Sequence, residues 1–534
     1  MDALIARSCQ SGGASPPPPP PRRMIDRKER KAPPNQKSKG AQRQKATMDR
    51  NLLVRLMKSH GKLQDVNKAR LLYSELRETT RDIYTATALL SMLAKCGAFE
   101  EAKSILEAIP KRNVVSWNAL ISGYVQHGHH DEALSCFRQM RLEGVTPSAV
   151  TFICILKACG SIRSLEIGES IHKEVKENGL LEKETMLATT LLNMYAKCGV
   201  LEKAQEVFEG LPVRNVVSWS ALIAGYVQHG HGHTALECFK RMKDDGVSPN
   251  AVTFTCILKA CGSVRCVELG KEIHAEVKAK GLLEKDILLG NTLVDMYAKC
   301  GVLEKAQEVF EELPRRDVVS WNTLISGYTQ HGHGDAALQC FRRMRDEGIS
   351  LDVVSFICAM KACGSTGCLE MGEVIHAKLK ENGWLEKDIV LGTALVDMYS
   401  KCGALEKARE VFIGLRERSV VSWNALTAGY VQHGHGDAAL GCFRRMQDEG
   451  ISPDGVSFAS ILKACGSVGS LEIGYGIHAQ IKNQGLLEKD IVLATALLDM
   501  YAKCGVLVKA QEAFEQFPER NVVVWSALIA GYVQ

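Results

Sequence analysis

The stretch VVSWNALISGYVQHG, Val114 to Gly128, returns as VVSWSALIAGYVQHG from Val216, VVSWNTLISGYTQHG from Val318 and VVSWNALTAGYVQHG from Val420, and opens again as VVVWSALIAGYVQ at Val522. Its tryptophans, Trp117, Trp219, Trp321, Trp423 and Trp525, stand 102 residues apart, so nothing is inserted or lost between copies. A fixed period of this kind predicts a solenoid, in which each unit buries its apolar face against its neighbours. Such a chain lengthens one architecture instead of dividing its 534 residues among several folds.

The apolar spacing divides one period into three helical hairpins, residues 114–148, 149–184 and 185–215. In the first, Leu120, Ile121 and Tyr124 share one helical face, and Ala133, Leu134, Phe137 and Met140 share the face of a second helix. In the second, TFICILKACG is followed by LEIGESIHKEVKENG, with Gly160 and Gly179 placed to end helices in a left-handed conformation that glycine adopts without a Cβ penalty. In the third, Gly199 breaks LATTLLNMYAKCG from LEKAQEVFEGLP, and Pro212 stops the last helix.

These motifs resemble the pentatricopeptide repeats of the plant PLS class. The P motif is the tryptophan stretch. The L motif appears as VTFICILKACG with IHKEV, VTFTCILKACG with IHAEV, VSFICAMKACG with IHAKL and VSFASILKACG with IHAQI. The S motif appears as LLNMYAKCG, LVDMYAKCG, LVDMYSKCG and LLDMYAKCG, with a degenerate LLSMLAKCG at Leu89. The resemblance covers about residues 50–534 and implies an all-α fold, a right-handed superhelical α-solenoid of helix-turn-helix hairpins. It implies a degenerate L repeat at 48–82, an S repeat at 83–113, P-L-S triplets at 114–215, 216–317, 318–419 and 420–521, and a truncated P repeat at 522–534.

The formal net charge is +5, but residues 1–47 hold eleven Lys and Arg against three Asp and Glu, which leaves the repeat array at about −3. Bulk electrostatics therefore does not draw the array to a polyanion; RNA affinity must come from placed basic residues and from base contacts. No run of apolar residues is long enough to span a membrane.

Almost all of the nineteen cysteines recur with the repeat, as Cys96, Cys198, Cys300, Cys402 and Cys504 do in KCG, and no CxxC occurs. They read as small hydrophobes at close helix contacts, in a reducing compartment, and not as a zinc site. The clusters HGHH at His127, HGHGH at His229, HGHG at His331 and HGHG at His433 fall in interhelical turns without ligand partners. His172-Lys-Glu174 and His274-Ala-Glu276 match half of a zinc deaminase signature whose PCxxC half is absent, so they read as scaffold. No metal, cofactor or catalytic residue is expected.

In the resembled family the fifth and last residues of a motif contact one base and the second residue packs between bases. Carried over, the reading pairs are Thr87 with Asn113, Asn118 with Ser148, Thr189 with Asn215, Ser220 with Asn250, Asn291 with Asp317, Asn322 with Asp352, Thr393 with Ser419, Asn424 with Asp454, and Thr495 with Asn521. The base-sandwiching residues are Val115, Val217, Val319 and Val421. In the family, Thr or Ser with Asn favours A, Asn with Asp favours U, and Asn with Ser leans to C. The implied target is 5′-A-Y-n-A-A-n-U-U-n-R-U-n-A-3′. L units depart from the rule, since Ile153, Ile357 and Ala459 cannot hydrogen-bond a base and only Thr255 with Asp286 resembles a reading pair. The same polar residues also read as helix caps or solvated positions.

Residues 1–47, with the proline run at 16–21 followed by Arg22, Arg23, Arg27, Lys28, Arg30 and Lys31, cannot build a core and read as a disordered basic segment or an organelle transit peptide. The chain stops at Gln534 inside a half-hairpin, as in a truncated product, without the E and DYW domains that relatives carry. The reading is a non-enzymatic RNA-binding protein of a mitochondrion or chloroplast that marks single-stranded organelle RNA for C-to-U editing by a DYW-type deaminase or editing cofactors acting in trans. The alternatives are RNA stabilisation or processing by occupancy, and a scaffold for protein partners.

Overall fold

The computed structural model describes residues 65–76, 83–487, 490–515 and 522–533, and over these it holds 29 α-helices and no strand. The basic segment 1–47 and most of the degenerate repeat at 48–82 lie outside the described residues. The chain divides into two compact units, residues 1–146 and 147–534.

In the first unit, helices Ile83–Cys96 and Phe99–Ala108 form one hairpin and Val114–Gln126 and His130–Leu142 the next. The two first helices pack on each other. Leu120, Ile121 and Tyr124 are buried against Ala133, Leu134, Phe137 and Met140, the two faces that the spacing marks. Each large apolar side chain so buried contributes about 1.5–3 kcal/mol.

The second unit repeats one order of packing. Helix Ala149–Ile162 packs on Thr185–Cys198, that on Val216–Gln228, and that on Ala251–Val264, while each second helix covers its own first helix. The tryptophans lock the period. Trp219, Trp321 and Trp423 are buried, each edge-on to a phenylalanine of the preceding hairpin, Phe208, Phe310 and Phe412, at 4.5, 4.6 and 4.5 Å. Glycine sets how closely hairpins approach: a Cβ on Gly225 or Gly327 would stand 2.6 Å from the Cβ of Ala196 or Ala298.

Gly179 adopts the left-handed conformation expected of it, with φ of 60°, and Gly199, at the break of its hairpin, is left-handed too, with φ of 83°. Gly160 does not. The helix runs on to Ile162 and turns at Arg163, a non-glycine residue with φ 56°. Gly160 is buried instead where a Cβ would lie 3.3 Å from the Met194 Cα, so it serves contact between hairpins and not helix termination.

The first histidine of each turn cluster and the histidines of IH have partners in neighbouring hairpins. The first histidine of each turn cluster bonds a carbonyl at the end of the preceding hairpin's first helix, as His229 Nε2 does to Ala196 O at 2.8 Å and His331 Nε2 to Ala298 O at 2.7 Å. The histidines of IH bond tyrosines of the following hairpin: His172 to Tyr195 at 2.8 Å, His274 to Tyr297 at 3.1 Å, His376 to Tyr399 at 2.9 Å and His478 to Tyr501 at 2.8 Å. Every described cysteine is free, and no group of three or more His, Cys, Asp or Glu among the described residues stands close enough to hold a metal ion. Burial first, and the thiols of Cys266 and Cys300 beside it, push Cys261 up to about 12, far from a reactive thiolate.

Candidate nucleic-acid interface

Among the described residues, the last residue of each expected P and S motif is the N-cap of the next first helix. Asn113, Asn215, Asn250, Asp317, Asp352, Asp454, Ser148 and Ser419 all have extended backbone and accept from the main-chain N–H at the third position of that helix. Each also belongs to a capping box, because a Ser or Thr at that third position accepts from the cap's own N–H. A cap of this type is worth about 1 kcal/mol. The helix-cap reading and the base-reading one thus fall on the same atoms.

Three of the pairs are joined directly. Asn291 Nδ2 donates to Asp317 Oδ1 at 3.3 Å, Asn322 Nδ2 to Asp352 Oδ1 at 3.0 Å, and Asn424 Nδ2 to Asp454 Oδ1 at 2.9 Å. The asparagine must turn its amide nitrogen to the carboxylate, since the carboxylate only accepts. Asn291 and Asn322 are 5% and 7% exposed, and the Oδ1 of each is buried without a partner. Burial raises the carboxyl of Asp352, but the Ser355 N–H and hydroxyl and the Asn322 amide outweigh it and hold the group below its ordinary value. Asp317 and Asp454 follow the same balance.

The threonines behave differently. Thr87, Thr189 and Thr495 donate their hydroxyls to carbonyls of their own helices, Ile83 O at 2.6 Å, Thr185 O at 2.8 Å and Ile491 O at 3.0 Å, which leaves each hydroxyl oxygen as an acceptor. The caps Asn113 and Asn215 each accept two main-chain N–H bonds on Oδ1, which leaves their Nδ2 groups to donate. Ser220 instead bonds the Thr253 hydroxyl at 2.7 Å, and the Thr393 hydroxyl is buried without a partner. Asn118 lies in the first unit, half-buried, and Ser148 in the second; Asn521 lies outside the described residues.

Val115, Val217, Val319 and Val421 are exposed at the second position of their helices. The same exposure holds at the second positions of the other first helices, Tyr84, Val150, Met186, Val252, Leu288, Val354, Val390, Val456, Val492 and Val523. Sequence reasoning missed these, although an aliphatic or aromatic residue two places after each cap was the available signal. A cavity of about 310 Å³ is lined by Val319 and Val354 on its flanks, Asn322 and Asp352, and the Asp295–Lys299 pair. A larger cleft of about 580 Å³ lies elsewhere, around His376, Tyr399, Lys380 and Glu410, but its histidine is held by Tyr399 and its Lys407 by Glu373.

Among the described residues no helix is long and apolar enough to cross a membrane. The sequence profile of the PPR repeat family matches residues 112–161, 214–263, 316–365 and 418–467, and that of the PPR repeat matches 84–114, 188–216, 291–318, 393–420 and 492–522. Among curated relatives from Arabidopsis thaliana, the "Pentatricopeptide repeat-containing protein At1g11290, chloroplastic" is 35% identical over 84% of this chain and 55% of its own length. The "Pentatricopeptide repeat-containing protein At4g18520, chloroplastic" is 33% identical over 85% of this chain and 73% of its own, and the mitochondrial At3g09040 is 34% identical over 88% and 45%. This chain thus spans about half of the first relative's length. The crystal structure of the pentatricopeptide repeat protein PPR10 with an 18-nt psaJ RNA element has a TM-score of 0.54 at 17% identity, over 90% of this chain and 84% of that one, which shows a shared fold. With these profiles matching more than half of its length, on hairpins whose packing repeats every 102 residues, the chain belongs to the pentatricopeptide repeat family.

Proposed function

We propose that this protein binds single-stranded RNA in a sequence-specific manner, through the fifth and last residues of its P and S motifs, as a PLS-class member acting in a chloroplast or mitochondrion. The observation that carries this reading is the buried Asn–Asp pair beside an exposed valine. Asn322, whose amide oxygen is buried and unpartnered, and the carboxylate residue Asp352 line one cavity together with Val319 and Val354. The amide oxygen accepts from the N3–H of uracil, and the second Nδ2 hydrogen serves a uracil carbonyl. The Thr–Asn pairs present the opposite order, an acceptor oxygen from Thr189 and a donor Nδ2 from Asn215, which complements the amino group and N1 of adenine. Exposed aliphatic second residues stack on base faces, a contact worth about 1–3 kcal/mol per base for aromatic platforms and less for valine.

RNA held this way is marked and not altered by the array. We infer a role in specifying a C-to-U editing site for a deaminase in trans, supported by the order of P, L and S motifs. The full chain, mixed at about 150 mM salt with RNA carrying 5′-A-Y-n-A-A-n-U-U-n-R-U-n-A-3′ and with RNA in which the adjacent U pair is changed to A, tests the binding reading. Preference for the first supports it, and equal affinity for both removes it.

A further inference from the structure

We infer that the hydroxyl at the third position of the following helix, carried by Thr253, Ser320, Ser355 and Ser457, is a positioning residue for base selectivity beside the fifth and last residues. The inference rests on the RNA-binding reading and concerns how that reading is set. These hydroxyls are buried. Each touches the last residue: Ser320 Oγ donates to Asp317 Oδ1 at 2.9 Å, Ser355 Oγ to Asp352 Oδ1 at 2.8 Å, Ser457 Oγ to Asp454 Oδ1 at 2.9 Å, and Thr253 Oγ1 to Asn250 Oδ1 at 3.0 Å. Two also reach the fifth residue thirty-three positions upstream. Ser457 Oγ lies 2.6 Å from Asn424 Oδ1, and Thr253 Oγ1 lies 2.7 Å from Ser220 Oγ.

At Asn424 the Ser457 hydroxyl therefore has two acceptors in reach, the carboxylate of Asp454 and the amide oxygen of Asn424. In the Asn424 copy the Ser457 hydroxyl lies within bonding distance of both acceptors; in the Asn322 copy the Ser355 hydroxyl is bonded to Asp352 and the amide oxygen of Asn322 has no partner. A uracil N3–H displaces the hydroxyl from the amide, and the proton turns to the carboxylate without any group losing its bond. A cytosine N3 in the place of the uracil N3–H meets the amide oxygen lone pair to lone pair, unless the amide flips and turns that oxygen towards the carboxylate. The carboxylate thus penalises the flipped amide that cytosine demands, and the hydroxyl that donates to the carboxylate holds it in place.

The distribution in the chain agrees. By sequence, hydroxyl residues follow the pairs ending at Asn113, Ser148, Asn215, Asn250, Asp317, Asp352, Ser419 and Asp454, while the helices after L motifs carry Leu187, Leu289, Leu391 and Leu493 at this place. At Asn113, Asn215 and Ser419 the serine donates to the main-chain carbonyl of the cap, and at Ser148 the Thr151 hydroxyl meets another hydroxyl, so the effect on a carboxylate belongs to Asp317, Asp352 and Asp454.

The test measures full-chain binding to RNAs with U, C or A at the position read by Asn322, and compares S355A, S355T and the same changes in an N322A background. S355A lowers the preference for U over C at that position by about three- to tenfold, the size of one hydrogen bond. It leaves the position read by Asn424 within about twofold, S355T restores the preference, and S355A has no further effect on selectivity when Asn322 is gone. A purely capping role would weaken all RNAs equally. Unchanged selectivity in S355A, or no rescue by S355T, overturns the inference alone. Absence of any U preference in the unmodified chain overturns the RNA reading and this inference together.

Discussion

Replacing Gly327 by alanine should open the seam between two hairpins. In helix Val318–Gln330 a Cβ at Gly327 would lie 2.6 Å from Ala298 Cβ, with Ala298 Cα and Leu303 Cδ2 each at 3.8 Å. Carbon atoms rest at about 3.5–4.0 Å, so helix Ile287–Lys299 must retreat by about 1 Å. Overpacking of this kind costs about 1–3 kcal/mol. The same retreat stretches the His331 Nε2 bond to Ala298 O, about 1 kcal/mol, which offsets the roughly 1 kcal/mol gained when alanine replaces glycine in a helix. The net loss is about 1–3 kcal/mol. Gly441, in helix Gly436–Asp448, supplies the control, because nothing lies within 4 Å of its Cβ and G441A should gain about 1 kcal/mol. Hydrogen exchange resolves the two locally: amides of Val318–Gln330 should exchange about fivefold to a hundredfold faster in G327A. Equal protection in G327A and the unmodified chain would refute the close-contact argument.

Asp352→Asn should leave stability within about 0.5 kcal/mol, since Asn caps as well as Asp, yet reduce U preference at one position; Asp352→Ala should lose about 1 kcal/mol in urea titration as well. Val319→Ser with Val354→Ser should weaken RNA binding without lowering the thermal midpoint, because both side chains are exposed. A fall in midpoint equal to the fall in affinity would count against stacking. Burial first, and nearby lysines, hold His172 and His376 below the ordinary histidine value. The unfolded chain then binds protons that the folded chain refuses, so stability is full above about pH 6.5 and falls as pH drops below it. A urea midpoint that stays flat from pH 7.5 to 5 would contradict this.

The fold was legible because five tryptophans at one spacing fix the period and the apolar faces follow from helical periodicity. Leu120 and Phe137 are buried where the spacing puts them. Gly160 misled because a glycine near a helix end signals either a left-handed turn or a close contact, and only the position of Met194 separates the two. The reading pairs came from the resemblance, and the sequence could not show that Asp352 caps one helix while bonding Asn322 thirty residues earlier. Nor could it reveal that Ser457, which looks like an ordinary capping-box partner, lies within bonding distance of both Asp454 and Asn424. Hydrogen bonds between hairpins depend on rotamers and on the distance between helices, and neither is written in periodicity.

The seam contacts recur so closely that the chain can change length by recombination. If residues 216–317 were deleted, Asn215 would be followed by Val318, Phe208 would meet Trp321, and Ala196 would receive both Gly327 and His331, as Ala298 does now. Unequal crossing-over between such copies would remove or add whole triplets without leaving a scar in the packing. Under the proposed reading each event would shorten or lengthen the RNA footprint by three nucleotides at a stroke, so new targets would arise by register jumps as well as by point substitution.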